Sequence, residues 1–112
     1  MTNRETKYEK VTLINPSAYG PDYLKAVTPS TTSDELRALA KSNDKIVRSR
    51  VAEHSNTPED VLRKAARSTS TEQRVAAAVN CSTPLDELVK LFDDADEIVR
   101  EEAKENFAER NR

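Results

Sequence analysis

An ungapped period of 26 residues runs through the chain from Thr31 onward and restricts what it can fold into. Thr31, Thr57 and Thr83 open three blocks laid end to end. Asp34-Asp60-Asp86, Leu36-Leu62-Leu88 and Arg48-Arg74-Arg100 each hold one residue type at one block position. The first and third blocks agree at ten of 26 positions, where composition alone would give roughly one or two. One supersecondary unit is therefore used three times.

Each block carries two helix starts. Thr31-Thr32-Ser33-Asp34, Thr57-Pro58-Glu59-Asp60 and Thr83-Pro84-Leu85-Asp86 bring together a hydroxyl, proline in two cases, and first-turn acids. Thr31, Thr57 and Thr83 are the expected N-caps. Leu36, Leu39 and Ala40, with Leu62, Ala65 and Ala66 and then Leu88, Leu91 and Phe92 in the same slots, form the apolar face. The second start falls at Asp44, Ser70 and Asp96, and Ser70-Thr71-Glu72-Gln73 reads as a capping box. Ile46, Val47 and Val51, then Val75, Ala78 and Val79, then Ile98, Val99 and Ala103 are the expected inward residues of the second helices. The middle block, with Glu72 and Gln73 where the others have Ile-Val, is the weakest layer of the core and must pack through small side chains.

Helices of about ten residues, about 15 Å long, with connections of about two or three residues follow from this spacing. Helices so short are marginal alone, so stability must come from stacking successive pairs. The expected fold is all-α: a short right-handed α-solenoid of three 26-residue two-helix repeats, over residues 31–56, 57–82 and 83–112.

The ends depart from the repeat, as end units must. Gly20-Pro21-Asp22 lead into Tyr23, Leu24, Ala26 and Val27, placed where the second helix of an earlier block would lie, so residues 20–28 read as an N-terminal half-repeat cap. Residues 83–112 carry a net charge of −5 against +1 for each of the other blocks, and no further Thr-Pro follows. Glu101, Glu102, Glu105 and Glu109 then make a solvated outer face on a C-terminal cap, while Val99, Ala103 and Phe107 face inward. Residues 1–19 read as an extended arm ahead of a solenoid domain at 20–112. Their stretch 7–14 is β-prone and is closed by Pro16. It suits an arm over the end of the stack, a mobile tail, or an edge that pairs with a second copy or a partner.

Composition removes several function classes. One Cys and one His preclude a disulfide framework and a four-ligand Cys/His metal cage within one chain, so no metal and no cofactor is expected. One Gly leaves no phosphate-binding loop. A net charge of −2 gives no overall field toward nucleic acid or an anionic membrane. The N-terminal stretch has no cationic segment followed by an apolar one, which predicts no secretory signal and a cytoplasmic address, with Asn80-Cys81-Ser82 then an idle glycosylation match.

Val47-Arg48 through Val51-Ala52, then Asn56-Thr57-Pro58-Glu59-Asp60-Val61-Leu62, resemble the leucine-rich-repeat variant family, whose units read V-R-x-x-V-A-x-N-x-N-T-P before a leucine helix. Arg74, Ala77-Ala78, Asn80 and Ser82-Thr83-Pro84 continue the pattern, and the resemblance covers residues 31–107. It implies a repeat scaffold, often without an assigned activity, with broader kinship to HEAT and armadillo solenoids. The period of 26 is slightly longer than the family's usual one, which implies fuller first helices. The cysteine-ligated iron–sulfur segment of a founding member has no counterpart here.

Among candidate site residues, His54 shares its block slot with Asn80 and Asn106, and a helix-terminal hydrogen-bonding role is favoured over catalysis. Cys81 lies in a turn slot with no accompanying base pattern. The Arg48-Arg74-Arg100 ladder has two readings. Each Arg ties layers together by pairing with Asp44, Ser70 or Asp96 four residues earlier, or with Asp60 or Asp86 of the next unit; or the three guanidinium groups line a groove for an acidic peptide or phosphates. The structural reading is favoured because the repeat supplies matching acids. Arg37, Lys41, Arg63, Lys64 and Arg67, with Lys45 and Arg50, add a modest basic patch.

The function expected is a non-enzymatic repeat scaffold that binds a protein or peptide through some of Arg48, Arg74, Arg100, Arg37, Lys41, Arg63, Lys64 and Arg67. One alternative is a HEAT-like DNA-associated protein, distinguished by whether Arg37, Lys41, Arg63, Lys64 and Arg67 converge on one face; residues 24–91 hold no aromatic platform for bases. Another is a self-associating structural protein. A monomer or weak homodimer, off the membrane and with nucleic acid a minor prospect, is the expected state.

Overall fold

The computed structural model describes residues 20–111 and is helical throughout, with no strand among the described residues. The arm expected at residues 1–19 lies outside them. Seven helices follow in order: α1 Pro21–Val27, α2 Ser33–Leu39, α3 Lys45–Glu53, α4 Glu59–Ala66, α5 Thr71–Val79, α6 Leu85–Leu91 and α7 Glu97–Arg110. None of them is long and apolar enough to cross a membrane. The helices before α7 run seven to nine residues and the connections are longer than their spacing predicted, as at residues 40–44 and 54–58.

The second helix of each block starts where its cap dictates. Asp44 accepts from Ile46 N at 2.8 Å, Ser70 from Gln73 N at 3.5 Å, and Asp96 from Ile98 N at 2.8 Å and Val99 N at 3.1 Å. The first helices correct the expectation. Thr32 caps α2 in a reciprocal box with Glu35, while Pro58 and Pro84 stand at the N-cap of α4 and α6 with no side-chain bond. Thr31, Thr57 and Thr83 lie one position too early to reach first-turn amides, and the last two are held extended by the proline that follows. Their buried hydroxyls donate backward instead, Thr31 to Lys25 O at 2.5 Å, Thr57 to Val51 O and Thr83 to Ala77 O at 2.6 Å. Each thus satisfies a carbonyl at the end of the preceding helix.

The row α1, α3, α5, α7 packs successively, each helix on the next. Helices α2, α4 and α6 lie along its flank, α2 against α1 and α3, α4 against α3, α5 and α6, and α6 against α7. Leu36, Leu62 and Leu88 are wholly buried at one repeated position. Ala26, Leu36, Leu39, Val47 and Val51 form one core cluster. A second joins Ala52, the alanines of α5, Leu88, Leu91, Val99 and Ala103, with Phe92 meeting Phe107 edge-on at 5.4 Å. Three consecutive buried alanines, Ala76, Ala77 and Ala78, let α5 lie close to both neighbours.

Three inward assignments are corrected: Ile46, Val79 and Ile98 are exposed. Val47 and Val99 take the inward direction, and Ile46 and Ile98, turned by about 100° round the helix, point outward. Gln73 occupies their slot in α5 and is buried. Its Nε2 donates to Ser49 Oγ at 3.1 Å and Lys45 O at 3.4 Å rather than back to Ser70, so the expected capping box is only half made.

A polar ladder joins the layers at the ends of α3, α5 and α7. Asn80 Nδ2 donates to Ala52 O and His54 O at 2.8 and 2.9 Å, and Asn106 Nδ2 donates to Ala78 O and Asn80 O at 2.9 Å each. His54 Nε2 meets Thr28 O at 2.7 Å while its Nδ1 accepts from Asn56 N at 3.0 Å. A ring nitrogen that accepts an N–H carries no proton, so His54 is the Nε2–H tautomer donating to Thr28. In all three cases the side chain reaches the residue 26 positions earlier.

Candidate functional site

The basic side chains separate into two sets once their partners are known. On the flank, cations are tied to the next layer. Arg37 grips Asp60 through Nη2–Oδ1 at 3.0 Å and Nε–Oδ2 at 3.3 Å, and Arg63 grips Asp86 through Nη1–Oδ2 at 2.8 Å with Glu59 at 2.8 Å on its other side. Hydrogen bonds from these guanidinium groups hold the Asp60 and Asp86 carboxyls below the usual aspartate range. Arg63 is raised by its bonds to Asp86 and Glu59. Glu87, 1% exposed, accepts from Arg63 at 3.1 Å and from Arg67. A carboxylate this buried requires such partners. Arg63 and Arg67 are therefore joined to the acids of α6.

The arginine ladder has a different anchor from either partner set expected for it. Arg48 Nη1 donates to Ser42 O at 2.7 Å, Arg74 Nη1 to Ser68 O at 2.9 Å, and Arg100 Nη1 to Asp94 O at 2.7 Å. Each guanidinium reaches back to the carbonyl six residues earlier and closes the turn between the two helices of its block. Asp44, Ser70, Asp96, Asp60 and Asp86 are not its partners, because the capping oxygens are occupied by first-turn amides and Asp60 and Asp86 by Arg37 and Arg63.

Only Arg74 adds a carboxylate. Its Nε and Nη2 hold Asp94 Oδ2 and Oδ1 at 2.9 and 3.3 Å across the layer, with both side chains nearly buried. Burial by itself raises the Asp94 carboxyl. Bonds from Arg74 and Asp96 N, and the charges of Arg74 and Arg100, outweigh that and hold it below the usual range.

Around Arg48 the same place is open. A groove of about 400 Å³ between α2, α3 and α4 is lined by Arg37, Lys41, Arg48 and Lys64 with a single acid, Asp60, and floored by Ala52, Ala65 and Gln73. Arg37, Lys41 and Lys64 converge here, whereas Arg63, Arg67, Arg74 and Arg100 are not among its lining residues. Among the described residues Lys41, Lys64 and Arg48 make no ion pair. A second groove of about 400 Å³ crosses α3, α5 and α7 over Ile46, Val75 and Ile98, rimmed by the ion-paired Arg50 and Glu53.

Among the described residues no catalytic constellation lines either groove. His54 has both ring nitrogens engaged with the backbone, and Cys81 is exposed on the turn after α5. No cluster of three or more metal-ligating side chains occurs among the described residues. Sequence reasoning missed Asp94, Glu87 and Gln73. The first was detectable, since Ser42, Ser68 and Asp94 share one block position six residues before each ladder arginine. Gln73 takes a slot that holds Val47 and Val99 in the other blocks, and Glu87 shares its slot with Glu35 and Val61, so only their neighbours reveal why they are buried. No protein-family model, curated protein or solved structure matches the chain.

Proposed function

We propose that residues 20–112 form a short α-solenoid of the leucine-rich-repeat variant kind, with a half-repeat cap and three 26-residue pairs, and that it is a non-enzymatic scaffold which binds a protein or peptide. The layer-to-layer bonds of His54, Asn80 and Asn106 at constant spacing support the stacked reading. One observation carries the binding role: an open groove beside Arg48 with three cations that no acid of the described residues neutralises. Extended repeat surfaces suit recognition of this kind.

A scaffold role also accounts for His54, whose ring is spent on the backbone and offers no base. The DNA-associated alternative draws less support, because Arg63 and Arg67 are tied to Glu87, which leaves few cations to track a phosphate backbone.

Panning a random peptide library on the nuclease-treated protein tests this function. Peptides that compete with one another, and whose binding is lost when Lys41 and Lys64 are both changed to Glu, are the expected result. No enriched peptide on the treated protein, with nucleic acid bound by the same protein before nuclease treatment, would overturn it.

A further inference from the structure

The repeat contains its own template for what the Arg48 groove binds. Arg48 and Arg74 are equivalent by the 26-residue spacing and share the same anchor, Nη1 on the carbonyl six residues earlier. Arg74 then uses Nε and Nη2 to hold the carboxylate of Asp94. The residue equivalent to Asp94 opposite Arg48 is Ser68, which lines the groove and whose Oγ accepts from Ser70 N at 3.0 Å, as Asp94 Oδ1 accepts from Asp96 N at 2.9 Å. The turn is the same, but the side chain is too short and carries no charge. Among the described residues, the two donors that Arg74 gives to Asp94 have no acceptor on Arg48. Arg100 repeats the anchor in the last block, with Nη1 on Asp94 O at 2.7 Å.

Building on the scaffold reading, we propose that the Arg48 groove is a carboxylate-recognition site for an acidic segment of a partner protein. A Glu or Asp side chain of the ligand takes against Arg48 the place that Asp94 takes against Arg74. The planar two-donor edge favours a carboxylate in bidentate contact, which is the geometry the neighbouring layer already uses. Lys41 and Lys64 flank the groove and attract further acids of the same segment. The Arg37–Asp60 pair bounds it and contributes no net charge, so among the described residues the lining carries three uncompensated positive charges: four cations less one acid. Half-burial of Arg48 lowers the competition from water that weakens exposed ion pairs.

The test uses the full chain and a fluorescein-labelled glutamate-rich peptide, read by anisotropy, with the matching glutamine peptide as control. Ser68→Asp installs the missing carboxylate in a turn that accommodates aspartate one layer on. It should weaken the glutamate peptide at least about tenfold while keeping or raising the melting temperature. Arg48→Ala should weaken binding similarly, and the glutamine peptide should not bind. Equal binding to the wild type and Ser68→Asp, no binding of the glutamate peptide at all, or displacement of the peptide by duplex DNA at lower concentration than by excess unlabelled peptide would each overturn the proposal. Library peptides that bind the wild type but ignore Ser68→Asp would leave the scaffold reading standing and remove this inference alone.

Discussion

Asn80→Ala should cost about 3 kcal/mol of folding free energy. The side chain is 4% exposed and makes three bonds. Nδ2 donates to Ala52 O at 2.8 Å and His54 O at 2.9 Å, and Oδ1 accepts from Ser82 N at 2.8 Å. Each such bond contributes roughly 1 kcal/mol net, and truncation at this buried position leaves two carbonyls and one amide without their side-chain partner. Against a total of roughly 5–15 kcal/mol for a domain of this size, the loss is large. It should lower the melting temperature by more than about 10 °C in a circular-dichroism scan at neutral pH. Asn80→His is the informative companion. His54 fulfils the same function one layer earlier, accepting from the amide two residues on and donating to the carbonyl 26 residues back. Histidine should therefore restore part of the loss, while Asn80→Asp, which replaces the donor with an anion facing two carbonyls, should not. A melting temperature for Asn80→Ala within about 2 °C of wild type would refute the reasoning that these bonds couple the layers.

Two further outcomes follow from the same geometry. Thr83→Val removes a buried hydroxyl from Ala77 O while keeping the side-chain shape, and should cost about 1–2 kcal/mol in urea unfolding. Protection of the Glu87 and Leu88 amides in hydrogen exchange should be unchanged relative to global stability, because the cap position belongs to Pro84; selective loss there would restore threonine as the cap. The depressed Asp94 carboxyl gives acid sensitivity of defined sign. Its contribution is complete above the ordinary aspartate value of 3.8 and is lost as pH falls below it through the lower folded value. Asp94→Asn should therefore lower stability at neutral pH and flatten its decline on acidification, measured by thermal scans across that range; an unchanged slope would count against the Arg74–Asp94 pair as the source.

The sequence alone was enough to predict two helices per block, because cap chemistry and apolar spacing are local. Asp44, Ser70 and Asp96 cap the helices they precede, and Leu36, Leu62 and Leu88 are buried where periodicity puts them. A helix before Thr31 was legible for the same reason, and α1 packs on α3 and α2. What local pattern could not fix is the direction of a polar side chain. In sequence, a threonine before a proline reads either as a forward cap or as a donor to the preceding helix, and N-caps at Pro58 and Pro84 leave it one position short of the first. The turn then brings each hydroxyl to the carbonyl six residues earlier, at Val51 and Ala77.

The partners of the arginines were likewise decided by tertiary structure. Charge bookkeeping along the chain made Asp60 and Asp86 available to the ladder, but packing of α2, α4 and α6 hands Asp60 to Arg37 and Asp86 to Arg63. It leaves Arg48 facing a serine where Arg74 faces an aspartate. An ion pair depends on which side chains a turn and a layer offset bring within about 3–4 Å, and a linear sequence does not encode that distance until the layers are stacked.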